Sequence, residues 1–470
     1  MCSPTFITTT IPYVNAAPHI GFALELVQAD VSARYRRICG DDVCFQTGTD
    51  ENAFKNVSSA RERGVPVRSL VDENAARFRA LADLLDVSID RFVRTTSAAH
   101  HAAVTTLLAQ LRREDLYRGG YEGLYCALCE DFYLRGDLVH GRCPDHGTPP
   151  IELAEENVFF RLSRYQDALR DLIATDRLRV IPEARKLEVL RFVERGLVDI
   201  SISRDARRCE GWGVPFPADS SQVVYVWIDA LINYLTEVGH QYWDAASATH
   251  VIGKNVWKFH AVYWPALLLS AELSLPKQIV VHGFLTNDGR KISKSAGDAV
   301  DPADYVRRVG VDGVRYFLLR HVRPFEDTDF SAERLEAAYQ ADLVHGIGNL
   351  VSRVTALCES ARVDGLSAST LPAPGNYHEH LSAFRFDLAL AEIWSEITAL
   401  NQEVSATKPW DDVKNGCLTT ARAKLLPIAE RLGSIAYWLA PFLPSTSAAI
   451  RAQLSGAHIS KSGPLFPRLR

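Results

Sequence analysis

Two short signatures, His19-Ile20-Gly21-Phe22 and Lys291-Ile292-Ser293-Lys294-Ser295, limit what this chain can fold into more than anything else in it. The first stands between an apolar, β-branched run, Phe6 to Ile11, and a stretch with Leu24, Val27, Val31 and Tyr35 at helical spacing. A second strand-like run, Val43-Cys44-Phe45-Gln46, follows. Strand, loop, helix and strand make a βαβ unit, which puts His19 and Gly21 at a helix N-terminus, where backbone N–H groups and the helix dipole favour phosphate. The second signature is a basic loop between Asp288-Gly289 and Gly297-Asp298. Its two lysines can neutralise phosphate oxygens as charge moves onto pyrophosphate. Taken singly, a His-x-Gly turn is a common helix entry and a Lys-rich pentad a solvated loop. Their order, and the βαβ setting of the first, together point to a protein that grips a nucleoside triphosphate and uses ATP.

Strand and helix patterns alternate from 1 to about 115, give way to a cysteine-bearing segment and polar turns up to about 220, and resume with Val223 to Ile228 and Gln278 to Val281, both strand-like. This predicts a nucleotide-binding α/β domain in two halves, 1–115 and 221–290, interrupted by an insertion at 116–220. After the lysine pentad, whose region spans 291–345, the chain reads as helical. Leu343, Ile347, Leu350, Val354 and Leu357 form a stripe at helical spacing, an ordinary core face, and the stretch Asp364 to Gly375 reads as a connecting loop within a helical domain over 346–470. The first 30 residues carry no signal pattern and no run reaches membrane-spanning length, so a cytoplasmic protein is expected. The net charge of −5 gives no support for nucleic-acid binding. From 346 onward, however, 12 Lys and Arg face 10 Asp and Glu, a net of +2 that leaves −7 on the rest.

Nine cysteines in an intracellular chain point to thiols and metal rather than disulfides. Cys126-Ala127-Leu128-Cys129 and Cys143-Pro144-Asp145-His146 give Cys-x2-Cys, a gap of 13 residues, then Cys-x2-His. Two thiolates at that spacing share a tetrahedral ion, and the second pair completes the shell, so Cys126, Cys129, Cys143 and His146 predict a zinc site. With four protein ligands no position is open for water. The expected role is structural, holding together an insertion too small to have its own core.

The chain resembles the class I methionyl-tRNA synthetases. The resemblance runs over nearly its whole length and rests on Ile11-Pro12-Tyr13-Val14-Asn15 leading into His19-Ile20-Gly21, on Thr47 to Glu51, Ile202 to Asp205, Tyr225 to Ala230, Ile252-Gly253-Lys254, Phe259-His260, Tyr263 to Ala266, His282 to Leu285, and the pentad. It implies a Rossmann-type parallel-sheet catalytic domain with an inserted zinc-knuckle connective peptide and an α-helical bundle that binds the anticodon, in a monomer without a C-terminal extension. It also implies two steps. Methionine and ATP give methionyl-adenylate and pyrophosphate, and the methionyl group then moves to the 3′ end of tRNA(Met). Attack of a carboxylate on the α-phosphate needs positioning and charge stabilisation rather than a protein nucleophile.

Residue by residue, the resemblance implies that His19, Gly21, Lys291 and Lys294 act on the phosphates with Mg²⁺ accompanying ATP. Glu25, Gly253, Lys254 and Asn255 would line the rest of the ATP site. Asp50 would pair with the substrate ammonium beside the carbonyl of Ile11, and Tyr13, Trp227, Ala230, Tyr234 and His260 would wall the side-chain pocket, where a thioether favours polarizable, aromatic surroundings. By pattern alone Trp227 and Tyr234 read equally as core aromatics. Asn349, Arg353 and Trp410 match anticodon readers. Without the resemblance they read as a surface polar pair and a half-buried indole.

Three departures from the family pattern stand out: Phe22 replaces its second histidine, Asn52-Ala53 replaces His-Gly, and Asn255 replaces an aspartate. Each is expected to cost one or two hydrogen bonds, on the order of 1 to 3 kcal/mol in transition-state stabilisation. Met1 is the only methionine, which suggests a specialised second copy, translatable when charged methionyl-tRNA is scarce or an inhibitor blocks the housekeeping enzyme. Equal inhibition of both enzymes by a methionyl-adenylate mimic would contradict that idea. Two other readings keep the signatures: an enzyme of the same fold that activates another amino acid or uses a non-tRNA acceptor, and a non-catalytic tRNA-binding paralogue. Intact pocket aromatics argue against the first and intact lysines against the second.

Overall fold

The computed structural model describes residues 4–126, 131–133, 135–144, 147–217, 219–243, 248–287, 290–291, 301–367 and 371–469. These group into two compact units, one formed by Met1–Pro18, Gly40–Ala80 and Ile89–His282, the other by His19–Cys39, Leu81–Ser88 and Gly283–Arg470.

The first unit is built on six parallel strands, β1 (Pro4–Thr9), β2 (Asp42–Thr49), β3 (Arg91–Arg94), β4 (Arg179–Ile181), β5 (Thr249–Gly253) and β6 (Gln278–His282), in the order β3-β2-β1-β5-β6-β4. Ile7 pairs with Phe45 on one side and Thr249 on the other. Parallel strands covered on both faces read as continuous apolar runs; β5 is buried at every position and β2 at all but its first. The order reverses between β1 and β5, the switch point outside whose carboxyl ends ligands bind in open α/β sheets.

From β1 the chain enters α1 (Ile20–Ile38) in the second unit and returns as β2. The helical stripe in α1 is present, with Leu24, Val27, Val31 and Tyr35 all buried, but so are Glu25, Gln28 and Asp30 between them. Back in the first unit, α2 (Ala98–Gln110) follows β3. The segment expected to be an insertion contains a long antiparallel pair, Leu116–Cys126 with Ile151–Phe160. It also supplies β4 to the parallel sheet, a role that polar turns around a three-residue strand conceal. A small antiparallel sheet ends in Asp219–Val224, after which α3 (Val226–Leu231) begins. The expected strand over 223–228 is therefore half strand and half helix: one apolar run crosses the boundary, and Ile228 and Asp229 donate back to the carbonyl of Tyr225.

The second unit continues with α4 (Pro302–Arg320), capped by Asp301 and broken at Gly310, where φ is 75°. A π-helical segment, Tyr339–Gly348, runs into α5 (Asn349–Ala361), and α6 (Phe386–Thr407), a helix over Leu418–Leu439 and α7 (Pro444–Leu454) complete the bundle. The predicted stripe holds for Leu343, Ile347, Leu350 and Val354 but not for Leu357, which is only half-buried; Val351 and Cys358 take over the core face. The architecture is thus the expected one, a Rossmann-like parallel sheet and a C-terminal helical bundle. Among the described residues no helix is long and apolar enough to cross a membrane.

Candidate active site

At the carboxyl ends of β1, β2 and β5 the first unit gathers a cluster of aromatic side chains. Tyr13 bridges to Asp50 in parallel register, and the Asp50 N–H donates to the Pro12 carbonyl at 2.9 Å, so the two loops after β1 and β2 run side by side. Asn56 braces the second loop by donating to the carbonyls of Asp50 (3.2 Å) and Glu51 (2.9 Å). Glu51 is taken up internally by Arg94, at 2.6 and 3.0 Å, and by the hydroxyls of Thr49 and Thr96. Of the two adjacent carboxylates, Glu51 therefore holds the scaffold; Asp50 is also buried.

Tyr13 lies 5.7 Å from Trp227, and Trp227 stacks on Phe259 at 4.1 Å with planes 8° apart. Deeper, the Tyr234 hydroxyl is 2.7 Å from Nε2 of His260, whose Nδ1 is 2.9 Å from the carbonyl of Val256. A carbonyl accepts, so Nδ1 carries the proton and Nε2 accepts from Tyr234. Thr9, whose carbonyl lies 3.3 Å from the same hydroxyl, is a second acceptor for that proton. His260 sits on a π-helical turn, Phe259–Tyr263, a distortion common at functional sites. Beneath Tyr234, at 4.1 Å between rings, the fully buried His250 is 2.7 Å from the Thr8 hydroxyl. Burial, with His260 nearby, pushes its pKa well below the usual imidazole range, so it is neutral and the pocket floor carries no charge there. Phe259 and His250 were not singled out from sequence, although Phe259 lies inside a quoted motif. Ala230 is buried in α3, and Ile11 is half-buried.

Asn52 does not leave a gap. Its amide donates to Asp229 at 2.8 Å and to the Thr95 carbonyl at 3.0 Å. The other oxygen of Asp229 is 2.8 Å from Nε2 of His100, and His100 Nδ1 is 2.8 Å from the Thr236 hydroxyl. The amide closes a buried network joining the Asp50 loop, α2 and α3, which carries Trp227 and Ala230. Changing Asn52 to Asp sets two carboxylates face to face and removes the donor to Asp229, so the variant is expected to lose about 1.5 to 3 kcal/mol of stability, read as a lowered thermal midpoint in a melting curve.

Lys254 follows β5 and its N–H donates to the His282 carbonyl at 3.1 Å, Gly253 is buried, and Asn255 is exposed. In the second unit His19 is the N-cap of α1: its Nδ1 accepts from the Gly21 N–H at 3.0 Å, which puts the ring proton on Nε2. A Cβ on Gly21 would lie 2.9 Å from Cε1 and 3.0 Å from Nδ1 of that ring, so glycine is required for the imidazole to sit there. Phe22 and Glu25 are buried in α1. The backbone of Lys291 pairs with Thr286 in a short hairpin, and Lys294 lies outside the described residues.

In the bundle Asn349 opens α5 exposed, Arg353 one turn later donates to the side chain of Asn401 in α6 at 3.0 Å, and Trp410 is half-buried after Lys408, whose φ of 45° turns the chain sharply. In the insertion Cys126 and Cys143 are both buried, and Cys129 and His146 lie outside the described residues. Among the described residues no group of three or more His, Cys, Asp or Glu is placed to hold a metal ion.

The family of tRNA synthetases class I (M) matches residues 5–150 and 146–355. The methionine–tRNA ligase of Thermotoga maritima is 38% identical, covering 96% of this chain and 75% of its own length. That of Thermosynechococcus vestitus is 39% identical over 99% of this chain and 93% of its own. The solved structure of Mycobacterium tuberculosis methionyl-tRNA synthetase in complex with methionyl-adenylate matches with a TM-score of 0.91 at 35% identity, covering 99% of this chain and 100% of that one. Sequence, strand order and backbone agree, and the chain belongs to the class I methionyl-tRNA synthetases.

Proposed function

We propose that this protein activates L-methionine with ATP to methionyl-adenylate and transfers the methionyl group to the 3′ end of tRNA(Met). The observation that carries this reading is the aromatic cluster of Tyr13, Trp227 and Phe259 beside the Asp50 loop, with the Tyr234–His260 pair in the same unit. The Asp50 carboxylate pairs with the substrate ammonium, and the rings of Tyr13, Trp227 and Phe259 give a thioether dispersion contacts at low charge. The Tyr234 oxygen, its proton directed to His260, faces the sulfur without a competing cation. In the second unit His19 Nε2–H and the first N–H groups of α1 hold phosphate oxygens, and Lys291 and Lys294 follow the departing pyrophosphate, with Mg²⁺ arriving on ATP to neutralise charge. Gly253 and Lys254 contact the nucleotide, and Asn349, Arg353 and Trp410 read the anticodon. Charging assays test this. Methionine is attached to tRNA bearing a CAU anticodon, and a changed anticodon lowers kcat/KM; charging with a different amino acid instead would overturn the reading.

The insertion, residues 116–220, is proposed to hold one structural zinc ion through Cys126, Cys129, Cys143 and His146. Two observations support the fit. Cys143 donates its backbone N–H to the Thr148 carbonyl at 2.9 Å, and the Thr148 hydroxyl lies 3.7 Å from the sulfur of Cys126, so the two cysteines flank one residue; both are also shielded from solvent at 1% exposure. Elemental analysis of freshly purified protein is expected to find one zinc per chain, and Cys126→Ser with Cys143→Ser to find almost none. Metal-free wild-type protein with an unchanged melting profile would contradict a structural role.

A further inference from the structure

Asp30 breaks a local rule of the sequence. It lies inside α1, among residues that are nearly all buried, and is itself fully buried. An interior aspartate is a poor helix former and a costly charge to bury unless partners fix it. Its partners are unusually complete. Oδ2 accepts from Nη2 of Arg315 at 2.7 Å and Nε of Arg34 at 2.8 Å, and Oδ1 from the N–H and hydroxyl of Ser88 at 2.7 and 2.6 Å. Burial opposes the charge, but Arg315, Arg34 and the Ser88 bonds outweigh it and hold the carboxyl below its usual range.

Arg315, in α4 beyond the Gly310 break, is also fully buried. Besides Asp30 it donates to the carbonyls of Phe442 at 2.7 Å, Pro441 at 3.0 Å and Leu85 at 3.1 Å. One guanidinium therefore ties α1 to the segment after residue 80, to α4 and to the chain entering α7. A buried ion pair stabilises little against apolar residues of the same volume, whereas its directional bonds fix geometry. What they fix here is the axis of α1, and about 16 Å along that axis stands its N-cap, His19. An error in the direction of a phosphate donor of even 1 Å lowers rate steeply.

We infer that the Asp30–Arg315 pair is a positioning device for adenylate formation, holding α1 so that His19 meets the phosphates. The inference rests on the role proposed above for His19. Arg315 is a positioning residue and touches no substrate.

The test compares wild type with the double variant Asp30→Leu, Arg315→Met, which removes both buried charges together, and with Arg315→Lys, which keeps a cation beside Asp30 but cannot make the three carbonyl bonds. Measured are the thermal midpoint, methionine-dependent ATP–pyrophosphate exchange, and transfer to tRNA from supplied methionyl-adenylate, a step that needs no triphosphate. Both variants are expected to lower kcat of exchange at least tenfold while KM for methionine and the rate of transfer stay within twofold. Exchange at the wild-type rate in a folded variant overturns the inference, as does an equal fall in exchange and transfer, the mark of a general structural role. If the double variant does not fold, Arg315→Lys decides by the same criteria. Absence of exchange in wild type refutes the proposed function instead.

Discussion

Replacing Asp50 by Asn lowers kcat/KM for methionine by a factor on the order of 10² to 10³ and leaves KM for ATP unchanged. The variant is nearly isosteric, so the loops braced by Asn56 and by the Tyr13–Asp50 bridge keep their form. What is lost is the charge that pairs with the substrate ammonium in a buried setting, and breaking such a pair costs roughly 3 to 5 kcal/mol because one charge is left uncompensated. The neighbouring carboxylate cannot substitute, since Glu51 is engaged by Arg94. Steady-state exchange kinetics with each substrate varied in turn measure both constants. An unchanged methionine KM would place the ammonium elsewhere.

The second large effect separates two jobs of one imidazole. His19 caps α1 through Nδ1, which puts the ring proton on Nε2. Asparagine caps helices at least as well, so His19→Asn preserves the start of α1, and the thermal midpoint is expected to hold. The amide is too short to place a donor where Nε2 stands. Loss of one preorganised donor to developing negative charge lowers kcat of adenylate formation about 10² to 10³-fold, equivalent to about 2.7 to 4 kcal/mol. Single-turnover measurement of adenylate formation beside a melting curve gives both readouts. A large drop in stability with little change in rate would assign the residue to folding alone.

Where local pattern and tertiary role coincide, these features are legible in the chain. The βαβ start is such a case: β-branched residues, a His-x-Gly entry and an apolar stripe each specify the same geometry, and the structure has it. Val223 to Ile228 is the opposite case. Its apolar residues satisfy a strand up to Val224 and a helix from Val226, and periodicity over six residues cannot separate the two. Leu357 is only half-buried while Val351 and Cys358 are buried, because the packing of neighbouring helices sets the core face of α5, which no residue count reveals. Asn52 reads as a missing histidine near the nucleotide when only one segment is in view. Its use becomes visible once Asp229, far along the chain, is set beside it. Asp30 and Arg315 are likewise silent alone, because a buried ion pair is a property of two positions brought together.

Methionine-dependent exchange of pyrophosphate into ATP, measured without tRNA over the common amino acids, tests the central claim most directly. The account predicts exchange with methionine, reduced exchange with norleucine, which lacks the sulfur, and none above background with leucine or isoleucine. Exchange driven by another amino acid in preference to methionine, or none with any, would contradict it.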